Sequence, residues 1–270
     1  MAASRLDSAK FAILRRSRRV WTVAAIHGEA DRLAALHDAI DARFEPGDRL
    51  AYLGNYLGHG RDIPATLDEL LRFRRATLAR PDMMACDIVF LRGAQEEMWA
   101  KLLQIHLAFS PTEVLEWMFE RGVAATLEAY GGDPRSAMSR ARLSAVELAR
   151  WTSELRNAMN AYPGHYVLMT VLRRAALTDD GALLLVHAGV DPSRPLAAQS
   201  DTFWWGSGGF DAMTEPYGGF KLVVRGYDRA GKGFRVTPPT ATIDGGCGSG
   251  GALHAACFAA DGELVDHIEV

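Results

Sequence analysis

Cysteine is scarce in this chain of 270 residues, which has only Cys86, Cys247 and Cys257. The three are widely spaced and none belongs to a CxxC pair, so the sequence indicates neither a disulfide framework nor a thiolate metal site. Unpaired thiols of this kind are typical of a reducing compartment, and we therefore expect a cytoplasmic protein. No apolar run approaches the ~20 residues that a membrane-spanning helix needs, so we expect no transmembrane segment.

An excess of either charge is also missing. The chain has 30 lysine and arginine residues against 33 aspartate and glutamate residues, so its net charge of −3 does not indicate nucleic-acid binding. Basic residues are concentrated at the start, where residues 1–19 hold six of them and a single acid, Asp7. We interpret residues 1–18 as a basic N-terminal extension that is solvated; contact with an acidic partner or an anionic surface is the alternative.

The first third of the chain alternates between two hydrophobic patterns. Short apolar runs at 20–26, 49–53 and 86–91 predict buried strands, whereas residues 29–43 and 63–79 have apolar side chains at helical spacing. The order strand, helix, strand, helix, strand predicts right-handed crossovers and a parallel sheet.

The rest of the chain divides into a helical part and a strand-rich part. Residues 95–161 are predicted to be almost entirely helical, with a break at 131–134 (GGDP), and we define residues 97–161 as the helical insert. Strands separated by Gly, Asp and Pro turns are predicted at 182–187, 220–225, 234–237, 240–243, 252–258 and 263–268. The predicted fold class is α/β, a central β-sandwich flanked by helices, with residues 19–270 in a single domain.

Three glycine-containing segments each follow a predicted strand: residues 25–28 (AIHG), 54–60 (GNYLGHG) and 92–96 (RGAQE). They resemble the motifs GDxHG, GDxxDRG and GNHE of the phosphoprotein phosphatase family, the calcineurin-like metallophosphoesterases whose bacterial members include diadenosine tetraphosphatases. Further motifs of that family are resembled, in the same order, by residues 184–192, 199–205, 223–228 and 242–251. The resemblance runs from about residue 19 to residue 270 and implies the calcineurin-like metallophosphoesterase fold, with a helical cap insert.

In that family two divalent cations activate a water that attacks phosphorus, and this chemistry needs carboxylate and imidazole ligands. Seven positions of this chain differ from the family pattern, and we call them the aligned positions. They are Ala25 for the first acid, Asn55 for the bridging acid, Gly58 for the acid that orients the catalytic histidine, His59 for a phosphate-binding arginine, Ala94 for the asparagine ligand, Gln95 for the catalytic histidine and Tyr227 for the last histidine ligand. Two histidine ligands are retained, His27 and His187, and so is Glu96 of the GNHE motif.

The resemblance therefore implies a site that has lost its catalytic residues, and we expect no catalytic residue, no metal and no other cofactor. Two neutral imidazoles and an amide cannot balance two close dications. The alternative is one divalent Mn, Zn or Ni ion held by the residual candidates His27, His187 and Asn55. These two histidines could instead be buried strand-end residues satisfied by hydrogen bonds. The ligand-binding residues that we expect are His27, Asn55, His59, Gln95, His187 and Tyr227.

Three functions remain open at this point. The first is a pseudophosphatase, a catalytically inactive relative that binds a protein partner or a small phosphorylated ligand. The second is a metallophosphoesterase of the protein phosphatase or dinucleoside tetraphosphatase type that uses one metal or an altered ligand set. The third is a scaffold that acts through the helical insert and the basic N-terminal segment.

Several side chains outside these motifs are interpreted as structural. His37, His106, His165 and His267 have no partner that the sequence reveals and are expected on the surface or on helices, while His254 is expected to pack within a strand. Trp204 and Trp205 are expected in the core or in a pocket wall rather than as a platform for stacking bases.

Overall fold

The computed structural model describes residues 7–270. Its strands are β1 (Phe11–Leu14), β2 (Arg19–Val23), β3 (Asp48–Tyr52), β4 (Ile88–Phe90), β5 (Ala175–Thr178), β6 (Leu183–Val186), β7 (Leu222–Arg225), β8 (Arg235–Thr237), β9 (Thr240–Thr242), β10 (His254–Ala259) and β11 (Leu264–Glu269). Its α-helices are α1 (Ala30–Asp41), α2 (Ile63–Leu78), α3 (Ala94–Leu102), α4 (Pro111–Phe119), α5 (Val123–Ala129), α6 (Pro134–Leu143), α7 (Ala145–Asn160), α8 (His165–Thr170), α9 (Thr202–Trp205) and α10 (Gly208–Asp211). No helix within this range is long and apolar enough to cross a membrane.

These strands form two mixed sheets. The first has the order β11-β10-β2-β3-β4, and its strands β2, β3 and β4 are parallel to one another, as predicted. The second has the order β1-β5-β6-β7-β9-β8, with β6, β7 and β9 parallel. The helices α1 and α2 connect the parallel strands of the first sheet, which confirms the two predicted crossovers.

The two sheets pack against each other through one large apolar core. Strand β6 of the second sheet is an example of this packing, because Leu183 and Leu185 belong to the same core as Leu50 of the first sheet. The alternate residues, Leu184 and Val186, belong to a second apolar cluster on the opposite face. Successive side chains of a strand point to opposite faces, so the second sheet is buried on both sides. The α/β sandwich flanked by helices is thereby confirmed.

Helices begin where the sequence supplies capping residues. The carboxylate of Asp62 accepts a hydrogen bond from the backbone N–H of Ala65 at the start of α2 (2.9 Å). In the helical insert, Asp133 caps α6 and Ser144 caps α7 in the same way. Each cap satisfies backbone N–H groups that have no partner within the helix. The predicted break at residues 131–134 is confirmed, since it separates α5 from α6.

The N-terminal segment differs from its prediction. Residues 11–14, interpreted as part of a solvated extension, form β1 and pair in parallel with β5. The side chain of Phe11 is 5% exposed and meets the ring of Phe203 edge-on, with 6.1 Å between the ring centroids. The strand was missed because four residues carry little periodicity and its partner β5 lies far along the chain. The first six residues of the predicted extension lie outside the described residues.

His37 and His165 lie on helices α1 and α8, which was one of the two locations predicted for them, but neither is a surface residue. Both are fully buried, and each links a carboxylate of α2 to a tyrosine. His37 joins Glu69 to the Tyr52 hydroxyl, and its Nε2 lies 2.8 Å from that oxygen. His165 joins Asp68 (3.1 Å) to the Tyr130 hydroxyl (2.9 Å). A polar partner on each side makes burial of an imidazole tolerable.

Two further histidines form a pair. His267, predicted to be isolated, has its ring stacked 4.9 Å from that of His254, and Nδ1 of His254 lies 2.6 Å from Nε2 of His267. The packing expected for His254 is confirmed, because the residue is 6% exposed.

Candidate functional site

Five of the side chains expected in the site come together where strands of both sheets end. In the first sheet His27 follows β2, Asn55 follows β3, and Gln95 stands in the first turn of α3, after β4. In the second sheet His187 follows β6 and Tyr227 follows β7. Because the carboxyl ends of parallel strands share one edge of a sheet, these turns are neighbours.

Contacts between the rings show how closely the two edges approach. The Tyr227 ring stacks on His187 with 5.2 Å between centroids, and it meets His27 edge-on at 5.9 Å. The backbone N–H of Ala25 donates to the carbonyl oxygen of Gly226 (3.0 Å) and so joins the segments that follow β2 and β7. The predicted convergence of His27, His187 and Tyr227 is therefore present.

The turns that carry these side chains have left-handed backbone conformations. His27 and Asn55 both have φ of 56°, and the preceding Gly54 has φ of 93°. A Cβ on Gly54 would lie 2.6 Å from the backbone nitrogen of Gly93, so glycine is the only residue that allows the turns after β3 and β4 to touch. This contact brings Asn55 next to the start of α3.

The side chain of Asn55 bridges two of these turns. Its Oδ1 accepts a hydrogen bond from the backbone N–H of Gln95 (2.9 Å), and its Nδ2 lies 3.3 Å from Nε2 of His27. Because the oxygen is committed to an N–H donor, the amide nitrogen must be the atom that faces His27. The imidazole Nε2 is therefore an acceptor in this contact.

Both retained histidines have a buried ring nitrogen without a protein partner. Nδ1 of His187 lies 2.7 Å from the carbonyl oxygen of Leu53, to which it donates. That bond leaves Nε2 of His187 as an unprotonated nitrogen, buried and unpaired. Nδ1 of His27 is buried as well and forms no well-aligned hydrogen bond, although the Leu57 backbone lies near enough to oppose the fall in the pKa of this ring.

Burial also keeps both imidazoles neutral. It lowers the pKa of His27 to about 3, with further contributions from His59 and His187 nearby. It lowers the pKa of His187 to about 4, although the hydrogen bond to the Leu53 carbonyl opposes this shift. The loss of hydration disfavours the charged form of a base, so neither ring carries a proton charge near pH 7.

Glu96, the retained acid of the GNHE-like segment, faces the backbone instead of the rings. Its carboxylate accepts hydrogen bonds from four backbone N–H groups at 2.8–3.0 Å, those of Asn55, Tyr56, Leu57 and Gly93. Burial raises the pKa of Glu96, and the backbone N–H groups of Leu57, Asn55 and Gly93 oppose the rise. The side chain thus fixes the shape of the turn after β3.

Three of the aligned positions contact the helical insert. Nε2 of Gln95 donates to the carbonyl oxygen of Arg121 (2.7 Å), and the backbone N–H of Gly58 donates to Oγ1 of Thr126 (3.1 Å). The His59 ring lies against Gly122, at whose position a Cβ would be 2.4 Å from the ring. The segment from the end of α4 into α5 is therefore seated on the floor of the site.

A cleft of about 710 Å³ opens between this floor and the insert. Its wall carries an aromatic pair, since the rings of Trp117 and Trp205 meet edge-on at 5.7 Å. The Arg121 guanidinium lies 4.4 Å from the centre of the Trp117 ring, a cation–π contact. Three cationic side chains line the cleft, Lys101, Arg121 and Arg229, against one acid, Glu120. The cleft therefore suits a ligand that has apolar or aromatic surface and negative charge.

Four residues expected to bind a ligand line this cleft: Asn55, His59, Gln95 and Tyr227. His27 and His187 are buried beneath it. Sequence reasoning missed the contribution of the insert, Trp117 and Arg121, because no motif marks these residues. The signal that the sequence did offer is a tryptophan on α4, and the structure leaves its side chain 38% exposed.

A second cavity, of about 1290 Å³, lies away from the aligned positions. It is lined largely by apolar side chains of the loops around residues 192–197 and 212–218. None of the site residues predicted from the sequence lines it.

The donor set does not fit the two cations that the fold family implies. Within residues 7–270, no three or more His, Cys, Asp and Glu side chains are grouped so that they could hold a metal ion. Asp228, the acid next to Tyr227, forms an ion pair with Arg225 at 3.1 Å. What remains near His27 is a second neutral imidazole and an amide whose hydrogen already faces the ring. Hard dications need charged oxygen ligands that this arrangement does not supply.

Comparisons of sequence and of structure give different results. No protein-family profile matches the chain, and no curated protein sequence matches it. Its fold matches the crystal structure of a provisionally named diadenosine tetraphosphatase with a TM-score of 0.52 and 17% identity, over 96% of this chain and 97% of that one.

A cold-active protein tyrosine phosphatase matches with a TM-score of 0.52 and 12% identity, over 97% of this chain and 83% of that one. A point mutant of a cold-active protein tyrosine phosphatase matches with a TM-score of 0.51 and 13% identity, over 97% of this chain and 85% of that one. At such low identity the likeness concerns the fold alone, and it confirms the predicted fold class.

Proposed function

We propose that this protein is a pseudophosphatase, a cytoplasmic protein with a metallophosphoesterase fold that binds a protein partner or a small phosphorylated ligand without catalysis. The observation that carries the proposal is the Asn55 amide, which donates toward His27 where the family places a bridging carboxylate. A site that binds two dications needs negative charge at this point, and an amide hydrogen repels a cation.

The other aligned positions support the same conclusion. Gln95 and Gly58, which stand at the positions of the catalytic histidine and its orienting acid, hydrogen-bond to the helical insert. A carboxylate at position 58 would collide with Gln95, because even a Cβ there would lie 2.6 Å from Cδ of that side chain. General acid–base catalysis needs a titratable group within reach of the substrate, and neither position supplies one.

The cleft above these positions supplies what a binding protein needs. It combines aromatic surface from Trp117 and Trp205 with the cationic side chains of Arg121 and Arg229. Aromatic and arginine side chains dominate the energetics of many binding interfaces. The occupant would therefore present negative charge beside an apolar or aromatic group, as a phosphorylated small molecule or an acidic protein segment does.

A second candidate function has one specific observation in its favour. Nε2 of His187 is a buried, unpaired lone pair. Unpaired buried nitrogens are unfavourable, and one divalent transition ion would satisfy a lone pair of this kind. On this alternative the protein is a metallophosphoesterase that uses one metal, held by His27 and His187, on a phosphoester or a dinucleoside polyphosphate.

Metal analysis and activity measured on the same preparation separate the two candidates. The purified protein is analysed for Mn, Zn, Ni and Co and assayed against p-nitrophenyl phosphate, a phosphopeptide and a dinucleoside tetraphosphate, with and without added Mn²⁺ and Co²⁺. We expect less than stoichiometric metal and the same background rate as a His27→Ala/His187→Ala variant. Turnover that co-purifies with the protein and disappears in that variant would establish the second candidate.

A further inference from the structure

The hydrogen-bond partners of Asn55 fix which way its amide faces. Oδ1 accepts from the backbone N–H of Gln95, which points along the start of α3 and has only this acceptor in the turn. A rotation of the amide by half a turn would place its NH₂ group against that N–H, with two donors facing each other in a buried site. Asn55 is 1% exposed and Gln95 is 4% exposed, so water is not available to relieve such a clash.

This orientation determines the state of His27. With Nδ2 of Asn55 as the donor at 3.3 Å, Nε2 of His27 must be the unprotonated nitrogen of a neutral ring, and its proton must lie on Nδ1. A ring nitrogen has a single lone pair in the plane of the ring. The amide hydrogen therefore occupies the direction in which this nitrogen would bind a cation.

We propose that Asn55 excludes cations from this site by hydrogen-bonding the lone pair through which His27 would bind one. The inference rests on the proposed function and explains how it is enforced. For a cation to reach Nε2 of His27, the amide would have to turn away, and it would then lose its bond to Gln95. The hydrogen bond to Gln95, at the start of α3, therefore holds the amide in the position that blocks Nε2 of His27.

An aspartate at this position would reverse the arrangement with little change in shape. One carboxylate oxygen could still accept from the Gln95 N–H, and the other would face Nε2 of His27 as a second ligand. His187 borders the same turn, since a Cβ on Gly54 would lie 3.0 Å from Nδ1 of His187. Imidazole and carboxylate are both ordinary ligands of Zn²⁺ and Co²⁺, and the added negative charge strengthens binding of a dication in a buried site.

The test compares cation binding by the wild-type protein, Asn55→Asp and a matched control. Asn157→Asp adds the same charge on the exposed face of α7, far along the insert from the turn. Zn²⁺ binding is measured by calorimetry, and Co²⁺ binding by the visible absorption bands of the bound ion. We expect Asn55→Asp to bind either ion at least about 100-fold more tightly than the wild type does. The carboxylate adds a negative charge, and the lone pair on Nε2 of His27 is no longer blocked by the amide. Asn157→Asp should behave as the wild type does.

Two further results decide the role of His27. The gain in affinity should disappear in Asn55→Asp/His27→Ala, and a gain that persists there would overturn the proposal. In the wild-type protein, nitrogen-detected NMR of the imidazole should show the proton on Nδ1 of His27, with no change on addition of Zn²⁺. A proton on Nε2 would overturn the proposal even if Asn55→Asp does not fold. Phosphatase turnover by the wild type would instead contradict the proposed function, so the two failures are distinguishable.

Discussion

The side-chain amide of Gln95 donates a hydrogen bond to the carbonyl oxygen of Arg121 over 2.7 Å. The first residue stands at the start of α3 on the floor of the candidate site, and the second stands in the turn between α4 and α5 of the insert. The floor and the roof of the cleft are therefore held together by a residue at the position that the resemblance aligns with a catalytic histidine.

Replacing Gln95 by alanine should loosen the insert. Loss of this bond leaves a carbonyl group without its partner and should lower the free energy of unfolding by about 1 kcal/mol. Amide hydrogen exchange should become faster in residues 117–126 and stay unchanged in α1. The control is Gln104→Ala, since Gln104 donates a long bond (3.4 Å) to Ala100 on the exposed side of the same insert. Equal effects of both variants on exchange would contradict the proposed contact.

The contact between Gly122 and His59 gives a second prediction. Gly122→Ala adds a methyl group 2.4 Å from the imidazole and also strains a backbone with φ of 94°. Gly131→Ala is the matched control, because Gly131 has φ of 77° and no heavy atom within 4 Å of the added carbon. We expect Gly122→Ala to be less stable than Gly131→Ala by about 1–3 kcal/mol in urea unfolding, since overpacking adds to the strain. The NMR signal of His59 should shift in the first variant alone.

Glu96 can be tested by an isosteric change. Glu96→Gln keeps the size of the side chain but places an NH₂ group among four backbone donors, and it should lower the free energy of unfolding by about 3 kcal/mol. The matched control is Glu116→Gln on the exposed face of α4, which should change stability by less than about 0.5 kcal/mol. Denaturant unfolding measures both, and a Glu96→Gln variant as stable as its control would refute the role of Glu96 as an acceptor.

Acid should destabilise the protein through the two site histidines. Their pKa values of about 3 and 4 in the folded protein lie below the 6.5 of an unperturbed histidine, so the unfolded chain binds protons first as the pH falls. Each should remove about 2 kcal/mol from the free energy of unfolding between pH 6.5 and about pH 4.5, and nothing above pH 7.5. In His27→Gln/His187→Gln this dependence on pH should shrink. An unchanged slope in the double variant would show that these rings are not buried in neutral form.

The paired strand β1 is also open to test. Phe11→Ala should lower the free energy of unfolding by about 3 kcal/mol, because a buried ring that packs against Phe203 is lost. A loss below about 0.5 kcal/mol would support the solvated extension that the sequence suggested. Thermal unfolding followed by circular dichroism measures the difference.

The sequence predicted the elements whose signals are local. Helices α1 and α2 and the three strands around them follow from hydrophobic period, and the break before α6 follows from the GGDP segment. Strand β1 was missed because its identity depends on pairing with β5, a contact that no local pattern encodes. The same reason explains His37, whose burial depends on Glu69 and Tyr52 arriving from two other elements.

The candidate site was predictable to a similar extent. Asn55 and His27 follow neighbouring parallel strands of the first sheet, whose ends share an edge, whereas His187 follows a strand of the second sheet. The structure brings these three side chains together, as the motif positions predicted. What they could not provide is the partner of each polar atom. That Gln95 reaches the insert, and that the Asn55 amide faces His27, depend on distances between segments far apart in sequence.

The four backbone N–H groups that hydrogen-bond to Glu96 affect how the residues of such a site can be substituted in evolution. A loop around a metal often keeps its shape only while the metal is bound, so that loss of a ligand also costs stability. Here the carboxylate of Glu96, which is part of the chain itself, holds the turn after β3 through its backbone N–H groups. The side chains of that turn can therefore be substituted while its backbone keeps its shape. The site can lose or gain a chemical function while the protein continues to fold.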